Sequence, residues 1–297
     1  MPCIVLARDH APVTDRCLES VLHRSLYRAL DLILVDNGST KEDAWVLCNA
    51  YDGHPQVSVI HWDWPFNFSK INNMAAERTR GELLVFLNND AKVITPDWVE
   101  ILAGYALQPR IGAVAPKLLY PDGSIQHAGV VMLGTAHIVR EAFKGRPDDS
   151  EEYFARTQAA HWVCVVTSVC LMVEKHKFLE SGGLEERLAV TFNDIDFCCW
   201  LYEAGYRNVY TPYAILRHHE FTSRSAVEDT PEKQLRAHKE NSYMRDRWVA
   251  LAVDPFYSIH FSRQEDTYRI IRPNEGSVTA WSAPHGLHAG REGGESK

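Results

Sequence analysis

Short apolar runs recur along the first 120 residues of the chain, and segments with helical periodicity separate them. The runs predict strands at residues 2–7, 32–35, 57–60, 83–87 and 111–115. The segments between them predict helices at residues 14–26, 41–51, 69–80 and 95–107. Ser39 or Thr40 is predicted to cap the second of these helices, and Ser69 to begin the third. This alternation predicts an α/β fold built on a doubly wound, mostly parallel sheet.

The second half of the chain has a less regular pattern. It predicts an antiparallel strand at 125–133, an apolar stretch at 163–173, strand segments at 209–211 and 214–217, and helices at 175–182, 193–205 and 231–252. Residues 135–160 lack periodicity, which predicts either a surface loop or a loop that covers a substrate. Beyond Pro273 the chain is rich in Gly, Ser, His and Pro, and we expect disorder there.

Composition narrows the class of protein. The net charge is -8 and no long basic run occurs, which argues against a nucleic-acid partner. We identify no membrane span and no secretory signal. The seven cysteines are scattered without a CxxC pair, so neither a disulfide framework nor a zinc site is indicated. Buried, reduced thiols and a cytosolic location are expected.

An aspartate follows three of the predicted strands. These residues are Asp9, Asp36 and Asp90. One such residue would mean little, because Asp is common in loops. Parallel strands bring their carboxyl ends to one edge of the sheet, where ligands bind, so three Asp residues there favour a binding site. No strand is followed by G-x-G-x-x-G or by a P-loop, so dinucleotide and ATP fingerprints are absent.

Two later segments carry further candidate chemistry. Asp194 lies in the first turn of a predicted helix, facing away from its apolar stripe, where it can serve either as a helix cap or in acid–base chemistry. His218, His219 and Glu220 follow a predicted strand. This cluster is consistent with a structural role or with metal ligation, and the sequence leaves both open.

Together these residues resemble the family 2 glycosyltransferases, over roughly residues 2–257. The motifs that carry the resemblance are Val35-Asp36-Asn37-Gly38-Ser39, Asn73 with Gly81, Leu87-Asn88-Asn89-Asp90, Gly182-Gly183-Leu184, Asn193-Asp194-Ile195-Asp196 and His218-His219-Glu220. The chain looks most like bacterial enzymes of O-antigen and surface-polysaccharide synthesis, which include rhamnosyltransferases. The resemblance implies a GT-A fold: a Rossmann-like sheet flanked by helices, with a small antiparallel acceptor-side part and a C-terminal helix.

The resemblance also implies a donor site. Asp90 matches the metal-binding acid of the family's Asp-x-Asp motif, in which Asn88 replaces the first acid, and His218 matches a further ligand. Oxygen ligands with one imidazole suit Mn²⁺ or Mg²⁺. The positions expected to contact the nucleotide-sugar are Ala7, Arg8, Asp9, Asp36, Asn37, Lys70, Asn73, Asn88 and Asn89.

The implied reaction is inverting transfer of a sugar from a UDP- or dTDP-linked donor to a hydroxyl group. Asp194 matches the family's catalytic base, with Asp196 as the alternative. Trp162, Thr167 and Ser168 are expected on the acceptor side. The acceptor would be a glycan or a lipid-linked glycan, reached by peripheral contact with the inner face of the membrane. A partner transferase and the oligomeric state remain open.

The expected organisation is one glycosyltransferase domain over residues 1–257, followed by an extension at 258–297. Within the domain, residues 1–115 would bind the nucleotide-sugar, and 116–257 would bind the acceptor and carry the catalytic base. Two alternatives are a catalytically degenerate sugar-binding or scaffold module and a sugar nucleotidyltransferase. The second is disfavoured because Ala7–Pro12 has no Gly-rich loop to hold a triphosphate.

Overall fold

A mixed β-sheet with helices on both faces forms the centre of the molecule. The computed structural model describes residues 1–133, 139–220, 230–248, 254–263 and 268–271. Its strands are β1 Pro2–Ala7, β2 Asp31–Asp36, β3 Val57–His61, β4 Leu83–Asn88, β5 Ala91–Val93, β6 Ile111–Leu119, β7 Ile125–His127, β8 Val130–Met132, β9 Val139–Glu141, β10 His161–Val163, β11 Cys170–Glu174 and β12 Arg207–His218. Its helices are α1 Ala11–Arg24, α2 Glu42–Tyr51, α3 Phe68–Arg78, α4 Trp98–Ala106, α5 Glu152–Ala155, α6 Lys175–Glu180, α7 Asn193–Glu203 and α8 Pro231–Arg247.

The strand order is β3-β2-β1-β4-β11-β6-β12-β10. The four strands β3, β2, β1 and β4 are parallel, as the alternating pattern predicts. Strand β11 runs antiparallel to β4 and β6, and β12 returns parallel to β6. The short strands β5 and β7 pair with β12 and β6. The predicted α/β fold class is therefore confirmed, with the antiparallel part confined to the second half of the sheet.

Both faces of the sheet are buried, because successive side chains of a strand point to opposite faces. In β1, Ile4 packs into the cluster that includes residues of α3 and α7. Cys3 and Val5 pack into the opposite cluster, with residues of α1 and α4. All seven cysteines are buried and form no disulfide, as predicted.

Residues 125–133 do not form the single strand predicted. The chain turns at Gly129, which has φ 97°. A Cβ there would lie 2.8 Å from a side-chain carbon of Val163, so a larger residue would require a shift. The segment therefore splits into β7, which joins the main sheet, and β8, which pairs with β9 in a separate hairpin.

Two helix starts also differ from the prediction. Helix α3 is capped by Asn67, whose side chain accepts from the Lys70 amide at 2.9 Å. Ser69 lies inside the helix and donates to the Leu188 carbonyl at 2.7 Å. At α2, neither Ser39 nor Thr40 supplies a side-chain cap, because Lys41 occupies that position.

The packed structure continues past residue 257, into the segment expected to be an extension. Phe261 and Tyr268 belong to the buried core. The Tyr268 ring stacks on Phe143 with centroids 5.0 Å apart. These contacts join the described part of the extension to the second half of the domain. The disorder predicted beyond Pro273 falls outside the described residues.

Candidate active site

The three strand-end aspartates lie at one edge of the sheet. Pairing in register places Ala7 opposite Asp36, and Leu6 opposite Asn88. Asp9 and Asp90 follow directly after the strands that contain Ala7 and Asn88. The carboxyl ends of β1, β2 and β4 therefore meet, as expected for a ligand-binding edge.

Asp90 faces His218, which the sequence places 128 residues later. Strands β5 and β12 pair antiparallel with Ala91 opposite His218, and the His219 amide donates to the Asp90 carbonyl at 3.1 Å. This pairing brings Asp90 Oδ1 to 2.9 Å from His218 Nε2. His218 is only 7% exposed, so the contact is largely shielded from solvent. The two expected metal ligands are thus adjacent in space.

The side chains of Asp90 and His218 suit a divalent cation whose other ligands come from substrate or water. Two adjacent ligands of an octahedral Mg²⁺ or Mn²⁺ ion, each about 2.1 Å from it, lie about 3 Å apart. The observed separation of 2.9 Å matches this spacing. No group of three or more His, Cys, Asp or Glu side chains is arranged to hold a metal among the residues that the structure describes. A metal here would take its remaining ligands from substrate or water.

The structure separates the roles of the two adjacent histidines. The imidazole of His218 faces Asp90, whereas His219 contacts Asp90 through its backbone amide. Burial and the positive charges of Arg16 and Arg217 lower the pKa of His219. Because the His218 imidazole, and not only its backbone, faces Asp90, His218 is the better metal-ligand candidate of the two.

Asp9 has a capping role that the sequence did not indicate. Its carboxylate accepts from the backbone amides of Thr40 and Lys41 at 2.8 and 2.9 Å, next to the start of α2. Its own amide donates to Ser39 Oγ at 2.8 Å. Burial opposes ionisation of Asp9, but the amide hydrogen bonds outweigh it and lower its pKa. The loops that follow β1 and β2 are thereby joined at the site.

Asp36 is buried at the end of β2 and contacts His61, a residue that the sequence did not indicate as part of the site. Its Oδ1 accepts from the Ser39 amide at 3.2 Å, and its Oδ2 lies 3.3 Å from His61 Nδ1. The Asn37 amide donates to the Ala7 carbonyl at 2.8 Å. His61 ends β3, but a lone histidine at a strand end gave no signal in the sequence.

The neighbouring expected donor-site residues lie at the same edge. Arg8 is exposed after β1. The Asn89 side chain donates to Thr14 Oγ1 at 2.9 Å, which links the strand end to α1. The Asn88 amide donates to the Val169 carbonyl at 2.9 Å. Thr14 was not expected, because an ordinary threonine in a helix carries no pattern.

Asn73 and Lys70, both expected in the donor site, contact the segment at residues 184–186. The Asn73 side chain accepts from the Leu184 amide and donates to the Leu184 carbonyl, both at 2.8 Å. A Cβ on Gly183 would lie 2.5 Å from Asn73 Oδ1, so the two motifs fit closely. Lys70 Nζ lies 3.7 Å from a Glu186 carboxylate oxygen. The Asn73 side chain therefore joins α3 to the segment that follows α6.

Asp194 begins α7 beside the turn between β10 and β11. Its Oδ2 accepts from the Ser168 amide at 2.8 Å, and its Oδ1 accepts from the Ile195 amide at 2.9 Å. Phe192, just before the helix, has φ 64°, an uncommon conformation for a non-glycine residue. The carboxylate is only partly buried, so it combines fixed orientation with access from solvent.

Two hydrogen bonds, one to the Asp194 carboxylate and one between backbone groups, connect Asp194 to the Asp90 edge. Ser168 contacts Asp194, and its neighbour Val169 accepts from the Asn88 amide. Because Asn88 ends β4 two residues before Asp90, both carboxylates belong to the same part of the sheet. The turn at residues 167–169 thus connects the candidate base to the candidate metal site.

Asp196, the alternative base, is used in packing. It is buried, accepts from Trp248 Nε1 at 2.8 Å and lies 3.2 Å from an Arg247 guanidinium nitrogen. Burial raises the pKa of Asp196, although Trp248 and Arg247 oppose the shift. This carboxylate anchors the end of α8 to α7, so the structure favours Asp194 over it as the base.

The other acceptor-side candidates lie on β10 and in the turn at 167–169. Trp162 lies on β10 with 53% of its surface exposed. Thr167 is partly buried, and its Oγ1 accepts from the Val169 amide at 3.3 Å. The Ser168 backbone amide donates a hydrogen bond to the Asp194 carboxylate. An exposed indole can stack on a sugar ring, and these residues stay predictions for the acceptor side.

The fold and the acid-lined sheet edge define a GT-A glycosyltransferase architecture. The solved structure of GalNAc-T7 with UDP, GalNAc and Mn²⁺ superposes with a TM-score of 0.64 at 14% identity, over 87% of this chain and 50% of that one. A sequence profile of glycosyl transferase family 2 matches residues 3–163. The chain belongs to glycosyltransferase family 2.

Two relatives resemble the chain over most of its length. The O-antigen biosynthesis protein RfbC of Myxococcus xanthus is 35% identical over 87% of this chain. N-acetylglucosaminyl-diphospho-decaprenol L-rhamnosyltransferase of Mycobacterium tuberculosis is 26% identical over 82% of this chain and 83% of its own length. The chain spans 20% of RfbC and 30% of another relative that is 39% identical. It therefore corresponds to one segment of those longer proteins.

Proposed function

We propose that this chain is an inverting glycosyltransferase that moves a sugar from a nucleotide-diphospho-sugar to a hydroxyl of a glycan acceptor. The observation that carries the proposal is the arrangement at the carboxyl edge of β4. There the Asp90–His218 pair and the Asp194 carboxylate are joined through the turn at 167–169. An oxygen–nitrogen cation site and an oriented base are the two parts that such a transfer requires.

The donor would lie along the ends of β1, β2 and β4. Asp36 and the backbone near Ala7 would contact the base and ribose. Asp90 and His218 would hold a divalent metal, Mn²⁺ or Mg²⁺, which neutralises the diphosphate leaving group. GalNAc-T7, which shares the fold, is known with UDP and Mn²⁺ bound, and this supports a nucleotide-sugar donor.

Asp194 would act as the general base. Its two hydrogen bonds hold the carboxylate in a fixed orientation, since one comes from Ser168 and the other from the first turn of α7. It would accept the proton of the acceptor hydroxyl as that oxygen attacks the anomeric carbon. Attack opposite the diphosphate in one step inverts the anomeric configuration and requires one base.

The relatives support an acceptor in bacterial surface-polysaccharide synthesis. One is named for O-antigen biosynthesis, and the other for transfer of L-rhamnose to a lipid-linked N-acetylglucosamine. A UDP- or dTDP-linked donor and a glycan or lipid-linked acceptor follow as the proposal for this chain. No helix in the described ranges is long and apolar enough to cross a bilayer. For a lipid-linked acceptor, we propose peripheral membrane contact as the route of access.

A panel of UDP- and dTDP-sugars tests this function. Donor cleavage is measured for each sugar with Mn²⁺, with Mg²⁺ and with EDTA, and the anomeric configuration of the product is determined by NMR. We expect one donor class to be consumed, only with metal, and with inversion. Product of retained configuration, or full turnover in EDTA, would contradict the proposal.

A further inference from the structure

His218 makes a second contact on the side of its ring away from Asp90. Its Nδ1 lies 2.6 Å from Gln126 Oε1, and Gln126 Nε2 donates to Glu220 Oε2 at 3.3 Å. Gln126 belongs to β7 and is 7% exposed. A row of side chains thus runs from Asp90, in the turn between β4 and β5, through His218 of β12 and Gln126 of β7 to Glu220, just after β12.

From this row we propose that Gln126 is a positioning residue for His218. It holds the imidazole in the form that carries a proton on Nδ1, so that the Nε2 lone pair faces Asp90 as a metal ligand. The inference rests on the proposed function, because it takes His218 to be a metal ligand in the sugar-transfer site. Gln126 itself lies outside the expected site. Its structural part, the proton on Nδ1, can be tested separately.

Glu220 fixes the orientation of the amide. A carboxylate only accepts hydrogen bonds, so the amide group of Gln126 that faces Glu220 must be its NH₂. The carbonyl oxygen of the same amide then faces His218. Glu220 follows β12 with φ 42°, a left-handed conformation that is uncommon for a non-glycine residue.

The amide in turn fixes the imidazole. An amide oxygen only accepts, so the facing Nδ1 must carry the proton. In a neutral imidazole this leaves Nε2 as the atom with the free lone pair, and Nε2 is the atom 2.9 Å from Asp90. Metal-binding histidines commonly donate their other ring N–H to such an acceptor, which orients the ring.

Substitution of Gln126 by Met tests the role with little change in shape. It removes the acceptor while keeping a chain of similar length. Gln108→Met is the matched control, since Gln108 is an exposed residue just after α4 whose side chain donates to the Gly104 carbonyl. The exchange Gln126→Glu with Glu220→Gln is the rescue, because it preserves an acceptor for Nδ1 and the net charge.

The first readout is the protonation of His218 itself. The full chain is labelled with ¹⁵N-histidine and studied by NMR with UDP and Mg²⁺. The chain has 14 histidines, so the His218 signals are assigned by their loss in His218→Gln. We expect a proton on Nδ1 and none on Nε2 in the wild type and the exchanged pair. In Gln126→Met we expect this preference to be lost.

The second readout is Mn²⁺ affinity in the presence of UDP, measured by electron paramagnetic resonance. We expect Gln126→Met to weaken binding by roughly 10–100-fold, the usual effect of removing such a partner. Gln108→Met should bind as the wild type does, and the exchanged pair should recover most of the loss. If Gln126→Met fails to fold, the position of the proton on His218 in the wild type still tests the inference.

The outcomes separate this inference from the function on which it rests. A proton on Nε2 in the wild type, or unchanged Mn²⁺ affinity in Gln126→Met, overturns the role of Gln126 while leaving the function intact. If the wild type binds no Mn²⁺ with UDP, both the metal-dependent function and the ligand role of His218 are overturned. Loss of the Nδ1 preference together with weaker Mn²⁺ binding supports the inference.

Discussion

At the scale of residues, side chains with similar sequence signals have different roles in the structure. Asp194 and Asp196 lie two positions apart in one motif, but the first is partly exposed and the second is buried against Trp248. A helix turns by about 200° over two residues, which places the two carboxylates on different faces. The sequence supplied the two candidates, and packing distinguished them.

Asp196→Ala should therefore act mainly on stability. It leaves the Trp248 indole N–H and the Arg247 guanidinium without their shared acceptor. We expect a loss of about 1–3 kcal/mol in the free energy of unfolding, measured by urea denaturation. Asp194→Ala should cost less, because that carboxylate bonds only to backbone amides beside solvent. A larger stability loss at Asp194 than at Asp196 would refute this distinction.

Asp254 is a buried carboxyl whose titration should appear in the stability of the protein. Burial raises the pKa of Asp254 to about 6, although the Met132 and Phe256 amides donate to it. Because the folded protein binds this proton more tightly than the unfolded chain, the stabilising effect of protonation is complete below about pH 4. It is lost as the pH rises through about 6.

Asp254→Asn, which cannot ionise, should remove this pH dependence. Relative to the wild type, the variant should gain on the order of 2 kcal/mol in the free energy of unfolding between pH 4 and pH 7. Chemical denaturation at a series of pH values provides the measurement. A difference between variant and wild type that stays constant over this range would show that Asp254 does not titrate there.

At the scale of elements, the regular strands and helices of the first half were predictable because their periodicity is strong. Strand β5 was missed because three residues are too few to show a period. The break at Gly129 was missed because it depends on the close approach of Val163, a contact between distant residues. Gln126 was missed for the same reason. A polar residue in a short strand gives no sequence signal, and its role depends on β12, which places His218 beside it.

Helix α8 stabilises the segment that leads to the candidate base. The buried Glu240 accepts from the Val190 and Thr191 amides at 3.2 and 3.1 Å, and also from the Thr191 hydroxyl. Arg247 contacts Asp196 near the end of the same helix. The chain on both sides of Phe192 is thereby attached to α8.

Glu240→Ala should weaken this attachment. We expect a lower melting temperature and reduced sugar transfer, because the unpaired amides would let the segment before Asp194 move. Asp246→Ala, at an exposed position of the same helix, is the control and should change stability by no more than about 0.5 kcal/mol. Differential scanning fluorimetry and the transfer assay report the two effects. Equal behaviour of the two variants would exclude a specific role for Glu240.

At the scale of the whole molecule, the two halves contribute different parts of the candidate site. The first half supplies the parallel strand ends with Asp36 and Asp90, which the alternating pattern indicated. The second half supplies His218 and Asp194, which strand β12 and the turn at 167–169 bring to the same edge. Neither half contains a complete site, so the pairing of β5 with β12 and of β11 with β4 is what assembles it.

The central element of the proposed function is Asp194 acting as the base at this edge. Asp194→Asn preserves the shape of the side chain and an acceptor for the Ser168 amide, but removes the basic carboxylate. The measurement is the rate of sugar transfer by this variant, with binding of UDP and Mn²⁺ measured on the same preparation. We expect a loss of roughly 10²–10⁴-fold in rate with binding unchanged. Turnover close to that of the wild type would contradict it.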